Sequence, residues 1–502
     1  MEKRAQTTGK NFIGVTIVIF IAKLLGFARD IFFASVFGTT VLADLFQAIF
    51  SLPSLLFSSI GTAISSVNIP NLTYYFASKT PEERFAYISR LFAQITFWGA
   101  VISIIGIIFA PTLAKLIVPG VEGEAAKMAV LITRIMMPTF LFVNLTFVAT
   151  GILQVHGHFL RAAAISIPFN ILIILALVLK GEDIAFVSYV TTAGWLFQFL
   201  IQLPVIIKEK YRFSIFNLQN NYTAAMLKKL VPVLLGNSLL QLCLIIDRSF
   251  GNLLDVGTTA ALGFGGNLFV TITSVFIVAM SSVVFPRISK YCLEEDFIEL
   301  RLMLSNIFKI LLFILIPYLI YVVVYHQEII ALVYERGAFT RESTITTAYA
   351  FLFYSFAVIG YASQEIFNRV FYALKKFSIP MRVSVICLTV NVVLNLVFLD
   401  YGIIAISGGT AIALLLYALI MGTLVTKEIG SFMQNDFFSY LARLAVPTAF
   451  MVAVILGFKY LHFTGIIMGF LLPLALSGLI YLVVAHITHL TTEFNLREAS
   501  NH

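Results

Sequence analysis

The chain has 502 residues, 60% of them hydrophobic and 12% charged, with a formal net charge of +8 and a mean hydropathy of +0.97. A soluble domain carries about 25% charged residues, so a water-exposed surface wrapped around one core is excluded. The positive balance does not mark a nucleic-acid face, because most Lys and Arg stand in short loops beside apolar runs, the pattern that orients membrane spans. Cys243, Cys292 and Cys387 lie far apart in apolar segments and form neither a disulfide framework nor a CxxC metal site.

Apolar runs long enough to cross a hydrocarbon core of about 30 Å recur from Asn11 to Leu490. The polar start "MEKRAQTTGK" leads into a first span, 11–36, without a small-residue cleavage site, so that span reads as retained. It carries Lys23, Arg29 and Asp30. At roughly 1.5 Å per residue, Lys23 falls near mid-membrane and Arg29 nearer the outer side. Lys23 and Asp30 share a helix face two turns apart. Arg29 and Asp30 are adjacent and point about 100° apart, so they read as separate groups, each needing its own partner or water, rather than a simple ion pair. Gly26 between the charges would permit a bend. The plainer alternative has Arg29 snorkelling outward and Asp30 capping the helix end.

The second span, 42–68, carries Asp44, and spans at 87–110, 124–152, 160–180 and 184–207 follow. Lys127 and Arg134 read as end-of-span or snorkelling cations, as do Lys309 and Arg443 further along. The seventh span, 225–249, ends in Asp247-Arg248, and the eighth and ninth cover 258–284 and 303–325. Arg369 in the tenth, 345–372, reads equally as a cytoplasmic-end anchor or a site residue. The eleventh, 379–400, sets Asn391 and Asn395 on one face, and the twelfth, 404–426, contains Thr410. Asp247 with two asparagine carbonyls and a threonine oxygen suits a hard cation such as Na⁺; interhelical hydrogen bonding explains the same residues equally well. Spans at 438–460 and 464–487 close the series. Runs this continuous are helices, not ten-residue alternating strands.

An internal repeat organises these spans. Arg29-Asp30 answers to Asp247-Arg248 with the order reversed, Gly38-Thr39-Thr40 to Gly257-Thr258-Thr259, and Ser65–Pro70 to Ser281–Pro286, at an offset of about 218. "HGHF" at 156–159 answers to "LKKF" at 374–377. The repeat unit holds six spans, an even number, so both copies share one orientation about an axis along the membrane normal. The expected fold is an all-α polytopic membrane protein of 14 transmembrane helices, two six-helix lobes related by a parallel repeat plus two C-terminal helices. The expected domains are 1–215, 216–430 and 431–502, the last holding spans 13 and 14 and a cytoplasmic tail. Cations gather on the N-terminal side, and only Lys115, Lys180, Arg336, Arg341 and Lys459 fall opposite, so both termini are expected in the cytoplasm.

No GxxxxGK[ST] loop, HExxH or Ser-His-Asp context occurs, and the histidines are scattered. No enzyme activity and no cofactor are therefore expected. The reading is transport driven by Na⁺, H⁺ or the membrane potential, with the substrate site between the lobes.

The stretches "LLGFARDIFFASVFG", "ADLFQAIFSLPSLLF", "IIDRSFGNLL", "VVFPRIS", "YERGAFT" and "FNRVFYALKKFSIP" resemble the MurJ-type lipid II flippases of the multidrug/oligosaccharidyl-lipid/polysaccharide exporter superfamily. The resemblance covers about residues 10–430. It implies a flippase in the bacterial inner membrane moving an undecaprenyl-diphosphate-linked peptidoglycan precursor outward by alternating access. A cationic cavity would take the headgroup while the tail stays in the bilayer. An Arg fork matches phosphate oxygens, and a site shielded from bulk water strengthens that attraction. The expected headgroup contacts are Lys23, Arg29, Asp30, Asp44, Arg248, Asn267 and Arg369, with Arg248 and Arg369 either assisting there or holding the lobes together, and the expected cation ligands are Asp247, Asn391, Asn395 and Thr410. The sequence departs from the family where it has Phe57 and Ser58 after "LPSLL", Asn267 in place of a usual arginine, Lys23 for an arginine, and Asn395 for a usual aspartate. Expected partners are the undecaprenyl-linked lipid, membrane lipids and other cell-wall synthesis proteins, with no nucleic acid and a monomeric chain. Readings from other classes are a cation-coupled small-molecule or drug exporter and a non-transporting scaffold for envelope-synthesis enzymes.

Overall fold

The computed structural model describes residues 2–55, 72, 75, 78–208, 235–433, 435–461, 463 and 465–490. The later part of the second expected span with Phe57, Ser58 and Ser65–Pro70, the first part of the seventh, and the tail beyond 490 lie outside the described residues. Among the described residues every regular element is a helix. That is the outcome lipid demands: with no water to bond backbone groups, each segment must satisfy its own.

The chain forms two compact units, one of Met1–Leu234, Leu244–Phe264 and Arg336–Ser343, the other of Leu235–Cys243, Gly265–Glu335 and Thr344–His502. In the first unit the helices run α1 (Glu2–Phe37), α2 (Val41–Leu55), α3 (Pro81–Ile108), α4 (Ala110–Ile117), α5 (Gly123–Met136), α6 (Thr139–Val155), α7 (Phe159–Ala163), α8 (Ser166–Lys180), α9 (Ile184–Leu200) and α10 (Leu203–Lys208). Next come α11 (Leu239–Gly251) and α12 (Thr258–Leu293), each with one part in either unit. The second unit continues with α13 (Phe297–Tyr334), α14 (Arg341–Ser355), α15 (Val358–Ala373), α16 (Ser378–Val397), α17 (Ile403–Ile429), α18 (Asn435–Tyr460), a π-helical turn (Ile467–Leu471) and α19 (Leu472–Ile487). The opening residues of α14, Arg341–Ser343, belong to the first unit.

Ten stretches of described helix are long and apolar enough to cross a membrane, and α14 with α15, bent by 42°, makes an eleventh. The three other expected spans coincide with α1, α2 and α11, so fourteen is consistent with the described helices. Several spans are interrupted where the sequence reading drew them whole. Pro138, which gives no backbone N–H, stands between α5 and α6. By contrast, α13 leaves helical geometry at Tyr325 (φ −120°, ψ 18°), where the ninth expected span ends, and then runs on to Tyr334.

Helix starts follow local chemistry. Thr80 and Glu83 close a capping box on α3, the Glu83 N–H donating to Thr80 Oγ1 at 3.4 Å and the Thr80 N–H to Glu83 Oε2 at 3.1 Å. Asp183 and Asp296 cap α9 and α13 through the N–H groups of Phe186 and Glu299. Inside the spans, hydroxyls such as those of Thr133, Thr146 and Ser188 bond back to the carbonyl four residues earlier, so these do not meet lipid bare.

In the first unit α3 packs on α6 and α8 on both α1 and α9, around a core that includes Phe92, Val148, Ile152 and Ile206. In the second, α15 and α16 pack on α17 and α18 on α19, with a second core of Tyr321, Tyr325, Tyr440, Met451 and Phe470. Large apolar residues such as Leu116, Leu179 and Leu419 stay exposed, as they do where the surrounding solvent is hydrocarbon.

Candidate functional site

The charges of α1 form the centre of the first unit's polar chemistry. Helical bonding runs unbroken through Gly26. A Cβ there would lie 3.7 Å from the side-chain amide of Asn170 on α8, an ordinary contact distance. Asn170 is anchored by donating to Ser166 O at 3.0 Å, and its Oδ1 accepts from Arg29 Nη1 at 3.2 Å.

Arg29 also bonds Asp30, which overturns the reading of the two as separate groups. Nε and Nη2 both donate to Asp30 Oδ1, at 3.1 and 2.7 Å. Adjacent Cβ vectors diverge by about 100°, but the long arginine stem folds back far enough to close the gap. The guanidinium lies 5.5 Å from the ring centroid of Phe50 on α2 and 5.8 Å from that of Phe169 on α8. The side chains of Arg29 and Asp30 keep 18% and 15% of their exposure, so the cation is held but reachable. Lys23, two turns back, is exposed.

Asp44 is 7% exposed, and both its oxygens are engaged. Oδ2 accepts the Gly257 N–H at 2.7 Å and Oδ1 the Ala260 N–H at 2.6 Å. Gly257 precedes the first residue of α12, so one carboxylate from α2 satisfies the two donors that a capping box would take, and its charge faces the positive helix end. Expected as a headgroup ligand, Asp44 here caps a helix instead. The Gly-Thr-Thr repeat gains a local meaning at the same place. Gly257 has φ +92°, and a Cβ would sit 2.5 Å from Thr39 O. Gly38, at φ +53°, is pressed against the backbone of Ala338, whose N–H donates to Ser35 O at 2.8 Å. Thr39 Oγ1 shares a 2.8 Å bond with Ser343 Oγ.

Arg248, the expected second headgroup cation, is 6% exposed and donates through Nη1 to the Gln47 carbonyl of α2 at 3.4 Å. Its own carbonyl accepts from Thr259 Oγ1 and Asn252 Nδ2. In this structure it ties α11 to α2. Asp247 is fully buried in the same unit.

The second unit repeats the recipe of Arg29. Arg369 on α15 donates through Nε to Ser281 Oγ at 3.0 Å, pairs with Glu365 at 3.7 Å and lies 5.1 Å from the Phe285 ring centroid. A guanidinium, one carboxylate, one polar neighbour and an aromatic face thus occur in each unit. Asn267 is half-buried in α12. Asn391, Asn395 and Thr410 are fully buried, and Asn391 Nδ2 donates to Thr410 Oγ1 at 3.0 Å. Asn395 Oδ1 lies against Gly409, where a Cβ would come within 2.8 Å. These neutral oxygens suit a monovalent hard cation better than a divalent one. Among the described residues no group of three or more His, Cys, Asp or Glu could hold a metal.

Lys309, read from the sequence as an end-of-span or snorkelling cation, has a fixed partner. It is 3% exposed, ion-paired to Asp436 and 5.5 Å from the Tyr440 ring centroid. Sequence reasoning also missed Asn170, Phe50, Phe169 and Glu365. A polar side chain inside an apolar span must find a partner, so Asn170 and Glu365 carried a signal; the two phenylalanines, among 48 in the chain, carried none.

Comparison with known proteins points one way. The family model "Lipid II flippase MurJ" matches residues 33–477. A probable lipid II flippase MurJ of Buchnera aphidicola subsp. Acyrthosiphon pisum is 27% identical over 467 residues, covering 90% of each chain. The lipid II flippase MurJ of Burkholderia cenocepacia is 25% identical over 391 residues, 75% of this chain and 76% of that one. Among solved structures, a lipid II flippase MurJ in an inward closed conformation superposes with a TM-score of 0.81 at 24% identity, over 95% of this chain and 99% of the other. An inward-facing multidrug resistance MATE family transporter of the MOP superfamily gives 0.67 at 15% identity, over 84% and 99%. At these identities the two structures bear on fold alone.

Proposed function

The chain belongs to the lipid II flippase MurJ family, and from that premise we propose how it handles its cargo. It is a multi-pass membrane protein that moves lipid II, an undecaprenyl-diphosphate-linked peptidoglycan precursor, from the inner to the outer leaflet. Arg29 receives the diphosphate, Asp30 and Asn170 aim its guanidinium, and Lys23 adds charge along the same helix. The observation that supports this is the setting of Arg29: three fixed contacts, two aromatic rings and a partly open face. Such a fork is pre-organised for phosphate oxygens, and apolar walls raise the strength of the contact above its value in water. Arg369, held by Glu365 and Ser281, is the corresponding cation of the second unit.

Transport requires the headgroup to favour the two access states differently. Coupling to Na⁺ through the oxygens of Asn391, Asn395 and Thr410 would supply that bias, a neutral donor set being matched to a single positive charge. We place the protein in the bacterial inner membrane with both termini cytoplasmic, an orientation that the loop cations support. A drug-exporter reading is not favoured, since the flippase family model extends over 33–477.

The test is replacement of the resident flippase in a depleted strain, with precursor in the outer leaflet measured by an impermeant headgroup label. Wild-type protein restores growth and outer labelling. Arg29→Ala, at equal membrane abundance, restores neither, and Arg29→Lys restores part. Full labelling by Arg29→Ala would refute the assignment of that residue. Altered drug resistance without precursor accumulation on loss of the protein would refute the substrate.

A further inference from the structure

A cavity of ≈ 610 Å³ opens in the second unit beside α13, the end of α18 and the π-helical turn. Its size is that of a small-ligand site. Glu328, Glu335 and Lys459 stand in its wall together with Phe458, Phe463 and Ile466. The wall is built rather than loose. Lys459 Nζ meets Glu328 Oε1 at 2.5 Å and lies 4.6 Å from the ring centroid of the fully buried Tyr325. Glu335 accepts the Thr344 hydroxyl at 2.7 Å. Tyr321 OH donates to Phe470 O at 2.7 Å, which pins the π-helical turn to the part of α13 just before its departure from helical geometry.

The position defines the medium. The apolar stretch Asp436–Tyr460 ends one residue beyond Lys459, so the charged wall lies where hydrocarbon gives way to water. Tyr460 and Ile467, 82% and 70% exposed, face out beside it. We propose that this cavity binds a zwitterionic aminophospholipid of the phosphatidylethanolamine class, its phosphate on Lys459, its ammonium on Glu335 and an acyl chain leaving over Ile466 and Ile467. Charge chemistry selects this occupant. An anionic headgroup would face two carboxylates against one ammonium. A purely apolar chain would cover three charged groups and give them nothing. A choline headgroup has no N–H to donate to Glu335, whereas a primary ammonium has three. The site is separate from the Arg29 contacts and independent of the flippase assignment.

The experiment is native mass spectrometry of the full chain extracted from bilayers of equal phosphatidylethanolamine, phosphatidylcholine and phosphatidylglycerol. Wild-type protein should retain phosphatidylethanolamine preferentially. Glu335→Gln should lower that occupancy about tenfold, the loss of one charge-assisted hydrogen bond, with phosphatidylglycerol retention rising, since one carboxylate fewer opposes its phosphate. Ala331→Phe, which projects a ring into the cavity and keeps all three charges, should lower the retained phosphatidylethanolamine while the protein elutes and melts as wild type. Equal retention of the three lipids by wild type, or unchanged retention by a well-folded Ala331→Phe, overturns the proposal. So does displacement of the bound lipid by soluble glycerophosphoethanolamine at equal concentration, since the acyl chain would then contribute nothing.

Discussion

The carboxylate of Asp44 offers a sharp test, because its two partners lie 213 and 216 residues away and are both backbone amides. Substitution by alanine leaves the N–H groups of Gly257 and Ala260 buried without an acceptor. Each such donor costs about 1–3 kcal/mol, and removing negative charge from a helix N-terminus adds about 0.5 kcal/mol. The start of α12 should therefore be destabilised by about 2.5–6.5 kcal/mol, at least a factor of roughly 50 in its opening equilibrium at 1.4 kcal/mol per decade. Asp44→Asn keeps one acceptor and turns an amide N–H₂ toward the other donor, so about a tenfold change follows from the loss of one bond. Hydrogen–deuterium exchange of peptides covering 255–265 reads this directly, with a peptide from α16 as control. Faster exchange confined to 255–265, larger for Ala than for Asn, is expected. Unchanged exchange there in Asp44→Ala would refute the capping role, and a uniform rise that includes α16 would show a global effect instead.

Other consequences follow from the same geometry. Asn170→Leu removes one of Arg29's fixed partners without touching its charge, so precursor transport should fall less than in Arg29→Ala, as outer-leaflet labelling would show. Gly257→Ala demands φ +92° of an L-residue with its Cβ 2.5 Å from Thr39 O, so a lower melting temperature is expected than for Gly402→Ala, where φ is also positive (+67°) but a Cβ would meet nothing within 4 Å. Asp436→Asn leaves the ammonium of Lys309 buried without its carboxylate, so it should lower the melting temperature more than Lys309→Met, which removes the buried charge altogether.

Much of the fold was legible because lipid leaves few choices. Long apolar runs must be helices, since no other open segment satisfies its backbone in hydrocarbon, and the helices lie where those runs lie. Local punctuation was legible for the same reason at Thr80-Glu83, where the capping residues are three apart in the chain. Interruptions were read less well: the break at Pro138 had a sequence sign yet was drawn through, whereas the kink at Tyr325 falls where the expected span ended. The identity of Arg29 as a special cation was visible from the cost of placing it in a span, yet its bond to Asp30 was misjudged, because residue spacing describes where side chains start and not where a long one ends. The partner of Lys309 was not legible either, Asp436 lying 127 residues on.

The sequence by itself determined a helical membrane chain, an internal repeat and membership of a flippase family, all properties that depend on local hydropathy or on residues matched in order. Only the tertiary structure decided that Asp44 closes the end of α12, that Phe50 and Phe169 flank Arg29, and that Glu335 and Lys459 share a cavity. Each of these joins residues far apart in the chain, and a hydrogen bond or ion pair a few ångströms long depends on how helices pack, which no single run of residues encodes.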